Sequence, residues 1–124
     1  MKPSKEFLAL AQQASKNVAH TDIETLARWQ EEQRDFLLID VREQSEWDNG
    51  HLPDAIHLSR GIIERDIVAR VPDFEHILVL YCGAGPRSSL AGESLQKMGY
   101  RNIISLDGGF MAWKQADYAV VTSN

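Results

Sequence analysis

Cys82 is the only cysteine among the 124 residues, and the residue types that follow it suit nucleophilic chemistry. The segment runs Cys82-Gly83-Ala84-Gly85-Pro86-Arg87-Ser88. Gly83 and Gly85 allow positive φ and close backbone approach, so successive N–H groups can turn toward one point and form a small anion cradle. From Ser88 the pattern becomes helical, with Ala91, Leu95 and Met98 on one stripe. A helix starting there, with Ser88 as its cap, aims free amides and partial positive charge back at the loop. A lone cysteine is commonly an inert buried residue. One at a glycine turn before a helix N-terminus is favoured as a thiolate, and Cys82 is therefore the candidate nucleophile.

A strand must deliver that turn. Ile77-Leu-Val-Leu-Tyr81 is apolar without alternation, the pattern of a central strand covered on both faces. Phe36 to Ile39 repeats it and ends at Asp40-Val41-Arg42, where a carboxylate and a guanidinium can brace the adjoining loop through backbone groups. Arg60 follows a further short strand, Ala55 to Leu58, and is a supporting cation at most. Ile103 to Leu106 is the last strand, and Asp107-Gly-Gly109 turns into a helix carrying Phe110, Met111 and Trp113.

Helices fill the intervals. Ser4 to Val18 places Phe7, Leu8, Ala11, Ala14 and Val18 at helical spacing with Ser4 as cap, an amphipathic helix expected to pack on the sheet. Thr21 and Glu24 have the spacing of a capping box before a helix burying Ile23, Leu26 and Ala27. A short helix is expected from Glu43 to Asp48, stopped at Asn49-Gly50. Ser59 is expected to cap another, with Ile63 and Ile67 inward, that stops before Val71-Pro72. Gly99 suits a left-handed cap after Met98. Strands alternating with helices throughout give an α/β fold with a mainly parallel sheet.

Composition excludes several classes. With 44% hydrophobic and 25% charged residues the chain is ordinary globular material, long enough to bury about two thirds of its unfolded surface in one core. A net charge of −5 argues against nucleic acid. No run reaches transmembrane length, and the opening Met1-Lys-Pro-Ser-Lys-Glu6 lacks a signal-peptide core. The expected location is the cytoplasm, where a reducing medium keeps Cys82 as a thiol. One cysteine rules out an internal disulfide, and His20, His51, His57 and His76 share no metal spacing, so neither metal nor cofactor is expected. Gly83-Ala-Gly85 is no dinucleotide fingerprint, since Ser88 stands at the third glycine position. Nor is it a phosphate-binding P-loop, since no lysine follows before Lys97.

Four segments in order carry a likeness: Leu38-Ile-Asp40-Val-Arg42, Glu46-Trp-Asp-Asn-Gly50-His51-Leu-Pro-Asp-Ala55-Ile, Cys82 to Ser88, and Leu106-Asp-Gly108-Gly109 through Trp113. The chain resembles a single-domain rhodanese, a sulfurtransferase-type domain. The resemblance covers roughly Val18 to Trp113, and divides the chain into an N-terminal amphipathic helix, 1–17, and a rhodanese-like domain, 18–124. It implies a three-layer α/β/α fold around a five-stranded parallel sheet with the cysteine loop at its C-terminal edge. It also implies that Cys82 takes a sulfane sulfur from a donor such as thiosulfate, becomes a persulfide, and passes the sulfur to cyanide, a thiol or a sulfur-relay protein. Gly83, Ala84, Gly85, Pro86, Arg87 and Ser88 would surround the added sulfur, with Arg87 as the loop's cation. Two departures stand out: Gly83 holds a place that is basic in many thiosulfate-using members, and Pro86 lacks an N–H.

Two rival readings keep the loop but change its use: a binding or redox-sensing module without catalysis, and a cysteine-loop phosphatase or arsenate reductase. Phosphatases of that kind clamp the phosphoryl group with an arginine six residues after the cysteine, whereas Arg87 is five after Cys82. The cradle is too small for phosphate. Aryl phosphates are accordingly expected to show no Cys82-dependent hydrolysis in a chromogenic assay, and turnover comparable to sulfur transfer would overturn the loop-size argument.

Overall fold

The computed structural model describes residues 2–122. Its core is a five-stranded, wholly parallel sheet in the order β1-β5-β4-β2-β3. The strands are β1 (Ala19–Thr21), β2 (Leu37–Asp40), β3 (Ile56–His57), β4 (Leu78–Tyr81) and β5 (Ile103–Leu106). The helices are α1 (Lys5–Ser15), α2 (Ile23–Glu31), α3 (Gln44–Asp48), α4 (Ile63–Arg70), α5 (Pro86–Met98) and α6 (Gly109–Gln115).

β4 lies at the centre with all four residues buried. Side chains alternate across a strand, so Leu78, Leu80 and Cys82 face one way, into a core with Ile63, Ile67 and Leu95 of α4 and α5. Val79 and Tyr81 face the other, toward Leu26 of α2 and Trp113 of α6. An α/β/α sandwich results. Where α5 crosses the sheet, a Cβ added at Gly92 would come within 3.0 Å of Ile103 and 3.2 Å of Val18, so glycine permits this close approach.

Several local expectations are corrected. β1 was not anticipated, because Ala19-His-Thr21 is a short, largely exposed edge strand without an apolar run. α1 is capped by Ser4 as expected, but its buried Ala11 and Ala14 pack on Leu90 of α5 instead of the sheet, and Leu8 is exposed. α2 is capped by Asp22, whose carboxylate accepts from the Thr25 amide at 2.8 Å, while Thr21 belongs to β1. Ser59 does not cap α4: the residue before that helix is Ile62, whose amide donates to the Ser59 carbonyl. α5 begins at Pro86, not at Ser88. Proline suits the first helical position because the N–H it lacks would have no intrahelical acceptor. Gly99 takes the left-handed cap, at φ 114°, as its place after Met98 suggested.

His20 ties the end of α1 to the end of β5. Its Nδ1 lies 2.7 Å from Asp107 Oδ1 and its Nε2 2.7 Å from the Ser15 carbonyl. Both partners are acceptors, so the ring bonds to both only as the imidazolium. The Ser15 carbonyl raises its pKa above 6.5, burial opposes this, and Asp107 adds to the rise. A raised folded-state pKa contributes stability that is full below the unfolded value and disappears as pH climbs through the folded one. The stability lost in His20→Ala, measured by urea denaturation, is therefore expected to be larger at pH 6 than at pH 8.5. An equal loss at both would show that the ring acts by packing alone.

Candidate active site

The turn after β4 places Cys82 at the C-terminal edge of the sheet, where ligand sites of open parallel sheets gather. The thiol is fully buried. Gly85, at φ 130°, folds the chain back so that its amide donates to Cys82 Sγ at 3.0 Å. Only Gly85 of the two loop glycines has positive φ. On its other side Sγ lies 3.9 Å from Ser88 Oγ. Ser88 Oγ is 2.9 Å from the Gly85 carbonyl and 2.7 Å from Ser105 Oγ of β5. Ser88 thus stitches the loop to the sheet from within the first turn of α5, where its sequence reading had made it the cap.

A second glycine turn supports the loop from below. The Phe110 amide donates to the Cys82 carbonyl at 2.8 Å, and the Met111 amide to the Gly83 carbonyl at 2.9 Å. A Cβ at Gly109 would fall 2.3 Å from the Cys82 carbonyl oxygen. Glycine is required there by that approach and by its φ of 54°. Both carbonyls are thereby engaged by α6, and the amide on the sulfur is that of Gly85.

Asp40 and Arg42 brace the next loop. Asp40 Oδ1 accepts from the Arg42 amide at 2.9 Å, and the Arg42 guanidinium contacts both carboxylate oxygens, with Nη2 to Oδ2 at 2.8 Å. Nη2 also donates to the Gly50 carbonyl at 2.6 Å, and the guanidinium lies 4.2 Å from the centre of the Phe110 ring. Burial works against the charge of Arg42, but the bonds and charge of Asp40 more than offset it and raise its pKa. Tyr81 crosses behind, its hydroxyl accepting from the Leu52 amide at 3.0 Å. Burial, with Asp40 nearby, pushes its pKa far up, so it stays a neutral phenol. Arg60 stands apart: its amide binds the Val41 carbonyl, and it forms no ion pair among the described residues.

Arg87 meets a partner that sequence reasoning left off the site. Its Nη1 lies 2.6 Å from Glu46 Oε1 and its Nη2 3.0 Å from Oε2, a two-point ion pair between α5 and α3. The Arg87 bond holds the Glu46 carboxyl below its ordinary range despite partial burial, and Glu46 in turn raises Arg87. Glu46 Oε1 also accepts the Glu43 amide at 3.0 Å. The only signal for Glu46 was its place in the segment Glu46 to Ile56. In that segment Trp47 stacks on His51 at 3.5 Å and on His57 at 5.1 Å. The ion pair, with Arg42, lines a cavity of about 510 Å³ that is also bordered by Gly83, Ala84 and Pro86 of the loop and by Phe7, Phe110 and Met111.

Residues 22–116 match the family described as Rhodanese-like domain. The chain belongs to the rhodanese-like family. Among relatives, the Probable adenylyltransferase/sulfurtransferase MoeZ of Mycobacterium tuberculosis is 36% identical over 104 residues, which are 83% of this chain but only 26% of that protein. The Thiosulfate sulfurtransferase GlpE of Coxiella burnetii is 30% identical across 80% of this chain and 87% of its own length. A Sulfurtransferase of Allochromatium vinosum is 32% identical across 84% and 95%. Among solved structures, the Polysulfide-sulfur Transferase of Wolinella succinogenes superposes with a TM-score of 0.78 at 25% identity, covering 96% of this chain and 89% of that one.

The rhodanese-like fold thus brings Cys82 to Ser88, Asp40 and Arg42 to one end of the sheet, with Glu46 added and Arg60 outside the network. Its buried Asp40–Arg42 pair has side chains 0% and 4% exposed. Removing one member of such a pair strands the other, at a cost of about 3–5 kcal/mol. Arg42→Ala is expected to lower unfolding free energy in urea by that order. Arg42→Lys, which keeps the charge but not the planar fork, should recover only part of the loss.

Proposed function

We propose that this protein is a sulfurtransferase of the rhodanese type in which Cys82 carries the sulfur. The observation that supports this reading is the loop itself: a single buried thiol with the Gly85 amide 3.0 Å from its sulfur and the first turn of a 13-residue helix directly behind it. The Cys82 thiolate attacks the outer sulfur of a donor such as thiosulfate. The S–S bond to the rest of the donor breaks, sulfite leaves with the bonding pair, and Cys82 holds a persulfide. Cyanide, a thiol or a cysteine of a sulfur-relay protein then attacks the outer sulfur and leaves with it as Cys82 departs as a thiolate.

Each neighbour has a role in this scheme. The Gly85 amide and the amides at the start of α5 stabilise negative charge on the reacting sulfur. Around Gly85 the space is open, with nothing within 4 Å of an added Cβ. Arg87 fixes the loop against α3 through Glu46, and Asp40 and Arg42 position α3 and α6 around it. A buried thiol is reached by a terminal sulfur more readily than by a branched tetrahedral centre, which favours sulfur over phosphoryl transfer. Arg87, the arginine of the loop, is already bonded to both oxygens of Glu46 and is not free to clamp a phosphoryl group.

Incubation with a sulfane donor is expected to add the mass of one sulfur to the protein, and cyanide or a thiol to remove it. Cys82→Ser should abolish the change while leaving thermal unfolding intact. Cys82 is the only cysteine, so no second thiol competes. If chemically distinct donors all leave the mass unaltered while the thiol remains open to alkylation, the loop binds or senses without catalysis.

A further inference from the structure

Both arginines that line the mouth of the cysteine loop are ion-paired. Arg87 is held by both oxygens of Glu46, at 2.6 and 3.0 Å, and Arg42 by both oxygens of Asp40. Loop residues Gly83, Ala84, Gly85 and Pro86 carry no charge, and the protein as a whole has a net charge of −5. The loop amides serve the reacting sulfur, so the charged tail of a donor such as thiosulfate, a dianion, would leave water for arginines already bonded to carboxylates, at a desolvation cost. The cavity over the loop has different properties. Its lining adds the apolar Pro3, Phe7, Phe110 and Met111 to the loop and to the ion-paired Arg42, Glu46 and Arg87, and Met111 is 54% exposed. Its volume of about 510 Å³ falls in the range of roughly 300–1,000 Å³ typical of small-molecule sites. That is far more than thiosulfate fills.

We propose that this mouth selects small organic hydropersulfides, R–S–SH with an uncharged apolar R, over thiosulfate and other donors with an anionic tail. This rests on the sulfurtransferase reading and names its substrate class. The apolar group R lies against Phe7, Phe110 and Met111, and the terminal sulfur points through the loop. Cys82 thiolate attacks that outer sulfur, the S–S bond to R breaks, and R–S⁻ leaves with the electron pair. The proton stays on the transferred sulfur, so the products are Cys82–S–SH and R–S⁻, with one negative charge on each side. Glu46 is the specificity determinant in this scheme. Its carboxylate cancels the Arg87 charge that an anionic donor would need.

Two probes of equal sulfur chemistry test this: benzyl hydropersulfide and its 4-sulfonato derivative. Single-turnover gain of one sulfur is followed by intact mass, each rate divided by that of the same probe with a free small thiol. The neutral probe is expected to load Cys82 at least about tenfold faster, the factor that corresponds to ~1.4 kcal/mol. Glu46→Gln, which frees Arg87, should reduce this preference severalfold. Gly83→Lys is a second variant, independent of the α3 fold. The only contact under 3.9 Å for a Cβ there is the flexible end of Arg87 at 3.0 Å, and the added cation should likewise favour the sulfonated probe and thiosulfate. Equal loading by both probes, or a preference unmoved in both variants, would overturn the selectivity while leaving sulfur transfer standing. Failure of every donor, thiosulfate included, to load Cys82 would overturn both.

Discussion

The buried guanidinium of Arg42 is the constraint on which the mouth of the site depends. It binds the Asp40 carboxylate at the end of β2, the Gly50 carbonyl after α3 and the face of Phe110 in α6. Its own carbonyl is 2.7 Å from His57 Nε2 in β3. One residue therefore joins four elements at the same sheet edge, three through its side chain and β3 through its carbonyl. The C-terminal end of α3 is fixed by the bond at Gly50 and by the stacking of Trp47 on His51 and His57. Glu46 projects from that segment and reaches Arg87 because of it. The electrostatics of the cysteine loop thus rest on a buried ion pair at the neighbouring end of β2.

The parts of the fold that the sequence announced are those whose signal is local. β2, β4 and β5 read directly from apolar runs because interior parallel strands are covered on both faces. Gly99 read as a cap because few residues tolerate the left-handed conformation. β1 gave no such signal, since an edge strand of Ala19, His20 and Thr21 is defined by its pairing with β5 and not by its side chains. The start of α5 was misplaced by two residues because Ser88 is a good cap by type, yet its hydroxyl is engaged by Gly85 and Ser105. The site divides the same way. Cys82 and its loop form one continuous segment and were legible. The Glu46–Arg87 pair joins residues 41 positions apart, a contact that helix periodicity and motif spacing do not reveal.

Charge placement explains how the arginine of the cysteine loop is held: its guanidinium is tethered to the Glu46 carboxylate. A free guanidinium at Arg87 would attract anions of any kind. Paired with a carboxylate whose own proton affinity is depressed, it becomes a rigid, neutral strut. Planarity is what the loop uses: two parallel hydrogen bonds set the orientation of the guanidinium plane, and that plane covers Gly83 closely enough that an added Cβ would touch it at 3.0 Å. The loss of a side chain at Gly83 and the tethering of Arg87 are two halves of one arrangement. A long basic residue at 83 would compete with Arg87 for Glu46.

The hydrogen bonds around Cys82 can serve its sulfur with or without a proton. Ser88 Oγ has one proton, and its close acceptors are the Gly85 carbonyl and Ser105 Oγ. Toward Cys82, at 3.9 Å, it acts as an acceptor for the S–H. The Gly85 amide, at 3.0 Å, has the opposite character and can only donate. The neutral thiol therefore has an acceptor on one side, and the thiolate has a donor on the other. Loss of the proton strengthens the Gly85 contact, since a bond to a charged acceptor is stronger than one to a neutral acceptor. It releases only the long contact to Ser88. Neither change requires the loop to move, because the Phe110 and Met111 amides hold the loop carbonyls in place throughout. Rigidity of that kind is what preorganised electrostatic stabilisation requires, for the donors must already point at the charge before it forms.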